Sequence, residues 1–298
     1  MRTLIAVPVY NEEQHVEKVI SAITCVAQGD RVCRNGQAEK LDDPQPPADV
    51  LVIDDGSTDA TPSLLAKQPV DVIRHKTNLG YGRSIRDAFR WAQCYRYDWL
   101  VTMDCDEQHE PASLPDFRAA IADDDADVVS GSRYLDPEAI DRAHGAPPED
   151  RRKINEAVCD WVNQRLGARL GGPITDAFCG FKAYRVSRLA ALALDVDGYA
   201  IPLQFWVQAA AARLTVKEVP IRLIYTDEER TFGAELDDPA HRIAHYREVF
   251  EAEMSKHSGL SDVAEPASAV GSAAEPAERN GSVGLPEAAA EAAGVARS

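Results

Sequence analysis

The sequence predicts an α/β fold in which a mostly parallel sheet carries helices on both faces. Three observations predict it. Four strand-then-helix steps follow one another in roughly the first 120 residues, the pattern of right-handed crossover units. The strand candidates are short, continuous apolar runs, as expected where both faces of a strand are covered. The runs end in acidic or glycine-bearing turns, and in open parallel sheets such turns gather in the crevice beyond the strands' carboxyl ends.

Beginning at Thr3, the first apolar run stops at Pro8 and passes into Asn11-Glu12-Glu13, after which Val16, Val19, Ile20 and Ile23 recur at helical spacing. Residues 28–48 are polar and broken by Gly36, Pro44, Pro46 and Pro47, which predicts a surface loop. Val50-Leu51-Val52-Ile53 reads as a strand ending in Asp54-Asp55-Gly56-Ser57-Thr58-Asp59, with helix from about Thr61. Residues 70–74 form a further strand, Asn78-Leu79-Gly80-Tyr81-Gly82 a glycine turn, and residues 83–96 a helix through Ile85, Ala88, Phe89 and Ala92. Trp99-Leu100-Val101-Thr102-Met103 is a buried strand that runs into Asp104-Cys105-Asp106. Beyond Tyr134 the chain is Pro-rich and polar to about Asp150. A helix over 151–170 then carries Ile154, Val158, Trp161 and Val162 on one face, and Arg151, Arg152, Lys153, Arg165 and Arg169 make it basic in an acidic chain. From Ser258 onward Ala, Glu, Gly, Pro and Ser dominate, which predicts a domain over 1–257 and a disordered acidic tail over 258–298.

The net charge of −17 argues against a general nucleic-acid binder, which needs clustered Lys and Arg to neutralise phosphates. The six cysteines form no CxxC pair and no zinc-like spacing with His, so reduced structural thiols are expected. No basic segment followed by a long apolar core opens the chain, and no run approaches the roughly 18 to 20 apolar residues of a membrane span. The expected location is cytoplasmic, soluble or peripheral on the inner face of the membrane.

Asp104-x-Asp106-x-Gln108 follows a buried strand, and alternate residues of extended chain direct their side chains to one side. Two hard carboxylates there suit Mg²⁺ or Mn²⁺, a cation that keeps waters and binds substrate phosphates. The alternative is a solvated acidic turn. Asp54-Asp55-Gly56 ends a strand in two carboxylates and a sharp turn able to hydrogen-bond a base or ribose, although Asp59 and Asp54 could serve only as cap and brace. In Pro8-Val9-Tyr10-Asn11-Glu12, Tyr10 is placed to flank a base and Glu12 to accept from its edge, while Gly80 beside Asn78 permits close backbone approach.

Together and in order, Pro8-Val9-Tyr10-Asn11-Glu12, Asp54-Asp55-Gly56-Ser57, Asn78-Leu79-Gly80 and Asp104-Cys105-Asp106 resemble family 2 glycosyltransferases of the GT-A fold, a Rossmann-like architecture, over residues 3–250. Gly131-Ser132-Arg133-Tyr134, Asp176-Ala177-Phe178-Cys179-Gly180-Phe181-Lys182 and Glu218-Val219-Pro220-Ile221 narrow the likeness to polyprenyl- or dolichyl-phosphate mannosyl- and glucosyltransferases. The resemblance implies a GDP- or UDP-hexose donor contacted by Asp54 and Asp55, and a metal held by Asp104, Asp106 and Gln108. It implies a polyprenyl phosphate acceptor bound by Arg133 and Arg151, and a loop arginine, Arg230, on the donor diphosphate. The chain departs from the family pattern at Asn155 and Cys179, where serines are usual, and after Gly233, where Ala234 and Glu235 replace a basic residue. Were the acceptor a hydroxyl instead, a general base would be needed, and Asp176 is the candidate. A non-catalytic nucleotide-sugar-binding partner of a membrane glycosylation complex is the alternative from another class.

Overall fold

The computed structural model describes residues 1–34, 37–135, 147–222, 224 and 234–260. Arg230 and the predicted tail beyond residue 260 lie outside the described residues. The strands are β1 (Thr3–Val9), β2 (Arg31–Arg34), β3 (Gln37–Lys40), β4 (Ala48–Asp54), β5 (Asp71–Arg74), β6 (Trp99–Thr102), β7 (Val128–Ser132), β8 (Lys182–Arg185) and β9 (Val216–Pro220). Seven of them form one sheet in the order β5-β4-β1-β6-β8-β7-β9. β5, β4, β1 and β6 are parallel neighbours, as are β7 and β9, whereas β8 runs antiparallel to both β6 and β7. The mostly parallel expectation holds, and β8 is its exception.

Helices α1 (Val16–Ala27), α2 (Thr61–Leu65), α3 (Tyr81–Cys94), α4 (Leu114–Ala122), α5 (Glu149–Leu170), α6 (Val186–Leu189), α7 (Ile201–Ala211) and α8 (Pro239–Lys256) cover the sheet. Alternation along β1 divides the core in two. Leu4 and Ala6 join the cluster built with α3, α5, α7 and α8, while Ile5, Val7 and Val9 join the one built with α1 and α4. The apolar positions of α1, spaced by three and four, are the buried ones: Val16, Val19, Ile20, Ile23 and Val26.

Two boundaries depart from the sequence reading. Residues 28–48 contain the antiparallel hairpin β2/β3, not a plain loop, because Val32 alone among its polar neighbours is buried against the α1 side of the core. The domain also runs past residue 257: Ser258–Leu260 form a 3-10 turn, and Leu260, 3% exposed, packs into the α5/α7/α8 cluster.

Helix α8 is tied to α7 through a buried carboxylate. Glu253, 3% exposed, accepts from Gln204 Nε2 at 3.0 Å, Gln208 Nε2 at 2.7 Å and Lys256 Nζ at 2.8 Å, and faces His257 Nε2 at 3.2 Å. Gln204 Oε1 in turn receives the N–H groups of Asp195 and Val196. Burial alone would raise the Glu253 carboxyl, but the hydrogen bonds from Lys256, Gln204, Gln208 and His257 override it and pull the pKa to about 2. Because the folded pKa lies below the ordinary 4.5, the stabilisation is complete above pH 4.5 and is lost as pH falls toward 2. At neutral pH it amounts to about 3 kcal/mol by linkage. Glu253→Gln should therefore unfold at lower temperature than wild type near pH 7, with the gap closing between pH 4.5 and 2 in melts followed by circular dichroism.

Candidate active site

The carboxyl ends of β1, β4, β6 and β7 open onto one cleft of about 740 Å³. One of its walls is built by locking two turns together. Asn11 adopts a left-handed φ of 54°, its N–H donates to Ser57 Oγ at 2.9 Å, and its Oδ1 accepts from the Thr58 N–H at 2.8 Å. The turn after β1 is thereby fixed to the turn after β4, and Pro8, Tyr10 and Glu12 line the cleft, with Tyr10 44% exposed.

Asp55 does structural work while lining the cleft. Its Oδ1 accepts from the Leu79 N–H and its Oδ2 from the Gly80 N–H, both at 2.8 Å, and His75 Nδ1 lies 2.6 Å from Oδ1. Asn78 and Gly80 are so brought to the same wall. Gly80 has φ of 100°, and a Cβ there would sit 2.3 Å from the Asp197 carbonyl oxygen, so only glycine allows this approach. Asp54 corrects the expectation of nucleotide contact. It is fully buried, accepts from the Ser57 N–H at 2.8 Å, pairs with Arg74 Nε at 3.1 Å, and is not among the cleft-lining residues. Gly56 likewise shapes the turn from behind, without lining the cleft.

Asp104, Cys105, Asp106 and Gln108 line the floor. The Tyr81 hydroxyl donates to Asp104 Oδ1 at 3.1 Å, and burial first, then the Asp104 charge, holds that phenol protonated well past its ordinary range. The Asp104 N–H donates to His109 Nδ1 at 3.2 Å, and His109 is buried against Cys179 and Phe181. Asp106 Oδ1 accepts from the Gln108 N–H at 3.1 Å, folding the acidic turn back on itself. Among the described residues no group of three or more His, Cys, Asp or Glu is placed to hold a metal. The two carboxylates and Gln108 nevertheless fit Mg²⁺ or Mn²⁺, since such an ion takes its remaining ligands from water and substrate phosphate.

A cradle supports that fit: a Cβ on Gly180 would stand 2.2 Å from Asp104 Oδ2. Gly180→Ala should therefore displace the carboxylate and lower kcat/KM by about 100-fold with the fold intact, as a 1 Å misplacement can. Steady-state kinetics beside a thermal melt checks this; an unchanged kcat/KM would show that Asp104 need not hold its position.

At the other end Arg133 and Asp176 form a forked ion pair, Nε to Oδ2 at 2.6 Å and NH2 to Oδ1 at 2.9 Å. Asp176 is fully buried, lies behind Arg133 and also accepts from the Phe178 N–H. Burial would raise its carboxyl, but the Arg133 charge and hydrogen bonds outweigh burial and hold it below the usual carboxylate range. Glu218 fixes the segment by accepting from the Thr175 and Asp176 N–H groups, and Asn155 does so through the Thr175 carbonyl and the Ala177 N–H. These contacts correct the assignment of Asp176 as general base. A carboxylate stabilised in its charged form and clamped on both oxygens positions Arg133 and is a poor proton acceptor.

Of the basic residues on α5, Arg151 lines the cleft, whereas Arg152, Lys153 and Arg165 pair with Glu156, Glu149 and Glu251 at the surface. Cys179, at the family's usual serine position, is 1% exposed, and burial raises its thiol to about 12. It packs rather than reacts. The sequence reading gave no role to Tyr81, His109, Lys182, Arg242 and Tyr246. Lys182 is 3% exposed, donates to the Cys179 carbonyl and lines the cleft, and burial lowers its pKa. His109 directly follows Gln108, which was the available signal; Arg242 and Tyr246 come from α8, and nothing local marks them.

The profile described as Glycosyl transferase family 2 matches residues 4–192. The chain is 31% identical over 245 residues to undecaprenyl-phosphate mannosyltransferase of Micrococcus luteus, covering 78% of this chain and 86% of that one. It is 27% identical over 241 residues to polyprenol monophosphomannose synthase of Mycolicibacterium smegmatis, covering 78% and 79%. Among solved structures, glucosyl-3-phosphoglycerate synthase of Mycobacterium tuberculosis, in complex with Mn²⁺, UDP-glucose and phosphoglyceric acid, superposes with a TM-score of 0.60 at 17% identity, over 85% of this chain and 80% of that one.

Proposed function

The chain belongs to glycosyl transferase family 2 with the GT-A fold, and from that premise we propose that it moves a hexose from a GDP- or UDP-sugar to the phosphate of a polyprenyl-type lipid, inverting the anomeric carbon. The observation that carries the proposal is one cleft with an acidic floor at Asp104 and Asp106 and a clamped arginine, Arg133, on another wall. The first suits a nucleoside diphosphate bound with a divalent cation, the second an anionic acceptor.

In this reading Tyr10, Glu12, Asp55 and the 78–80 turn hold the nucleotide. Asp104, Asp106 and Gln108 would hold the cation, which stabilises charge on the departing diphosphate. Tyr81 and His109 keep the Asp104 carboxylate and backbone in register. Arg230, outside the described residues, would reach the diphosphate from its loop. An ionised phosphate needs no base, only alignment with the anomeric carbon, and Arg133 and Arg151 supply it through planar forks that match phosphate oxygens. The lowered carboxyl of Asp176 supports a phosphate over a hydroxyl acceptor, because the latter requires a base that Asp176 does not provide.

Nucleoside diphosphate release tests the proposal, measured from a panel of GDP- and UDP-hexoses with Mg²⁺ or Mn²⁺, with and without a short polyprenyl phosphate. Release that needs both cation and lipid phosphate is expected. Release equally fast without the lipid, or only with a sugar hydroxyl acceptor, would contradict the acceptor assignment.

A further inference from the structure

Arg242 stands on α8, four residues before Tyr246, so the two side chains share a face of the helix. That face meets the cleft: Arg242 and Tyr246 line it together with Arg133 and Arg151. Arg242 is only 3% exposed, its NH1 donates to the Leu236 carbonyl at 2.9 Å, and its NH2 lies 2.5 Å from Oδ2 of Asp150, the residue before Arg151. Two arginines from different helices thus line the same cleft, and the aspartate that holds Arg242 is the chain neighbour of Arg151. A guanidinium presents five N–H donors in a planar array whose geometry matches phosphate oxygens. The surroundings are aromatic: the Tyr246 ring lies 4.9 Å from that of Phe178, and the Arg133 guanidinium 5.7 Å from the centre of the Tyr134 ring. Cations set in an aromatic wall suit a phosphomonoester carried on an apolar chain, because the wall excludes water from the charge and strengthens its pairing.

We propose that Arg242 is a third arginine on the acceptor's phosphate, beside Arg133 and Arg151, which makes α8 part of the acceptor site; this rests on the phosphate-acceptor reading above. Asp150 is the positioning residue that aims it.

The test measures initial rates of nucleoside diphosphate release for wild type, Arg242→Gln, Arg242→Lys and Asp150→Asn, varying donor and acceptor separately, beside a thermal melt. The acceptors are a short polyprenyl phosphate and, as a soluble phosphomonoester, 3-phosphoglycerate. Arg242→Gln should raise the acceptor KM by about 30-fold, the size of a lost charge-assisted hydrogen bond to phosphate, with the donor KM unchanged. Arg242→Lys, which keeps the charge and loses the fork, should fall between wild type and Arg242→Gln, and Asp150→Asn should weaken acceptor binding less than Arg242→Gln. An effect confined to the lipid arm assigns the phosphate to a lipid, and the same effect in the soluble arm assigns it to a free phosphomonoester. Equal melting losses in Arg242→Gln and Asp150→Asn, with the acceptor KM unmoved in both, would reduce Arg242 to a brace for α8 and overturn the proposal. Should Arg242→Gln fail to fold, a wild-type acceptor KM in Arg242→Lys and in Asp150→Asn would overturn it as well. No phosphate-dependent release by wild type would overturn the acceptor reading itself, and this proposal with it.

Discussion

Asp106→Ala should lose about 10³-fold or more in kcat with every donor, and the loss should persist at saturating Mg²⁺ or Mn²⁺, because stabilisation of the leaving diphosphate is worth several kcal/mol. Asp106 lines the cleft floor and Asp104 is held from behind by Tyr81 and His109. Removing either carboxylate leaves too few protein oxygens to fix a cation that otherwise relies on water and phosphate. Asp104→Ala should behave like Asp106→Ala in activity. Isothermal titration of nucleoside diphosphate with and without Mn²⁺ separates the two possible losses. The cation should tighten binding to wild type and leave the variants unaffected. Equal tightening in the variants would place the cation elsewhere.

Arg133→Ala should lower kcat/KM for the acceptor by about 10³-fold while donor binding stays near wild type, since the forked pair both charges and orients the acceptor end. It should also cost about 3 kcal/mol of stability, because Asp176 would remain as a fully buried carboxylate with its partner gone. Arg133→Lys separates these effects. It keeps a cation beside Asp176, so much of the stability should return, yet it loses the fork, so acceptor kinetics should stay impaired by about 10- to 100-fold. Asp176→Asn should impair the acceptor through Arg133 without moving the pH–rate profile. An acidic limb that vanished in Asp176→Asn would instead restore Asp176 as a base.

Most of the parallel half of the sheet was legible in the sequence because β1, β4 and β6 are local apolar runs ended by turns, and both signals lie within a few residues. That Tyr10, Glu12, Asp55, Asp104 and Asp106 share one cleft was legible for the same reason, because they follow strand ends that topology carries to one crevice, whereas Gly80 is drawn there by Asp55. What could not be read depends on contacts between distant segments. β8 pairs antiparallel with β6 and β7 through Lys182–Arg185, a short run whose partners lie more than fifty residues away. Asp54 and Asp55 are adjacent and chemically alike, yet one is enclosed with Ser57 and Arg74 while the other bridges to the 78–80 turn, a distinction only packing makes. The ion pair of Asp176 with Arg133 could not be read from the sequence, because the two lie 43 residues apart. Arg242 reaches the cleft only because α8 folds back against α5 and α7.

The acceptor's phosphate as the attacking group is the central claim, and product structure tests it most directly. After turnover with a short polyprenyl phosphate, ³¹P and ¹H nuclear magnetic resonance should show the monoester converted to a sugar phosphodiester, with the anomeric configuration opposite to that of the donor. A product in which the monoester persists and the sugar sits on a hydroxyl, or in which the donor's configuration is retained, would contradict the account.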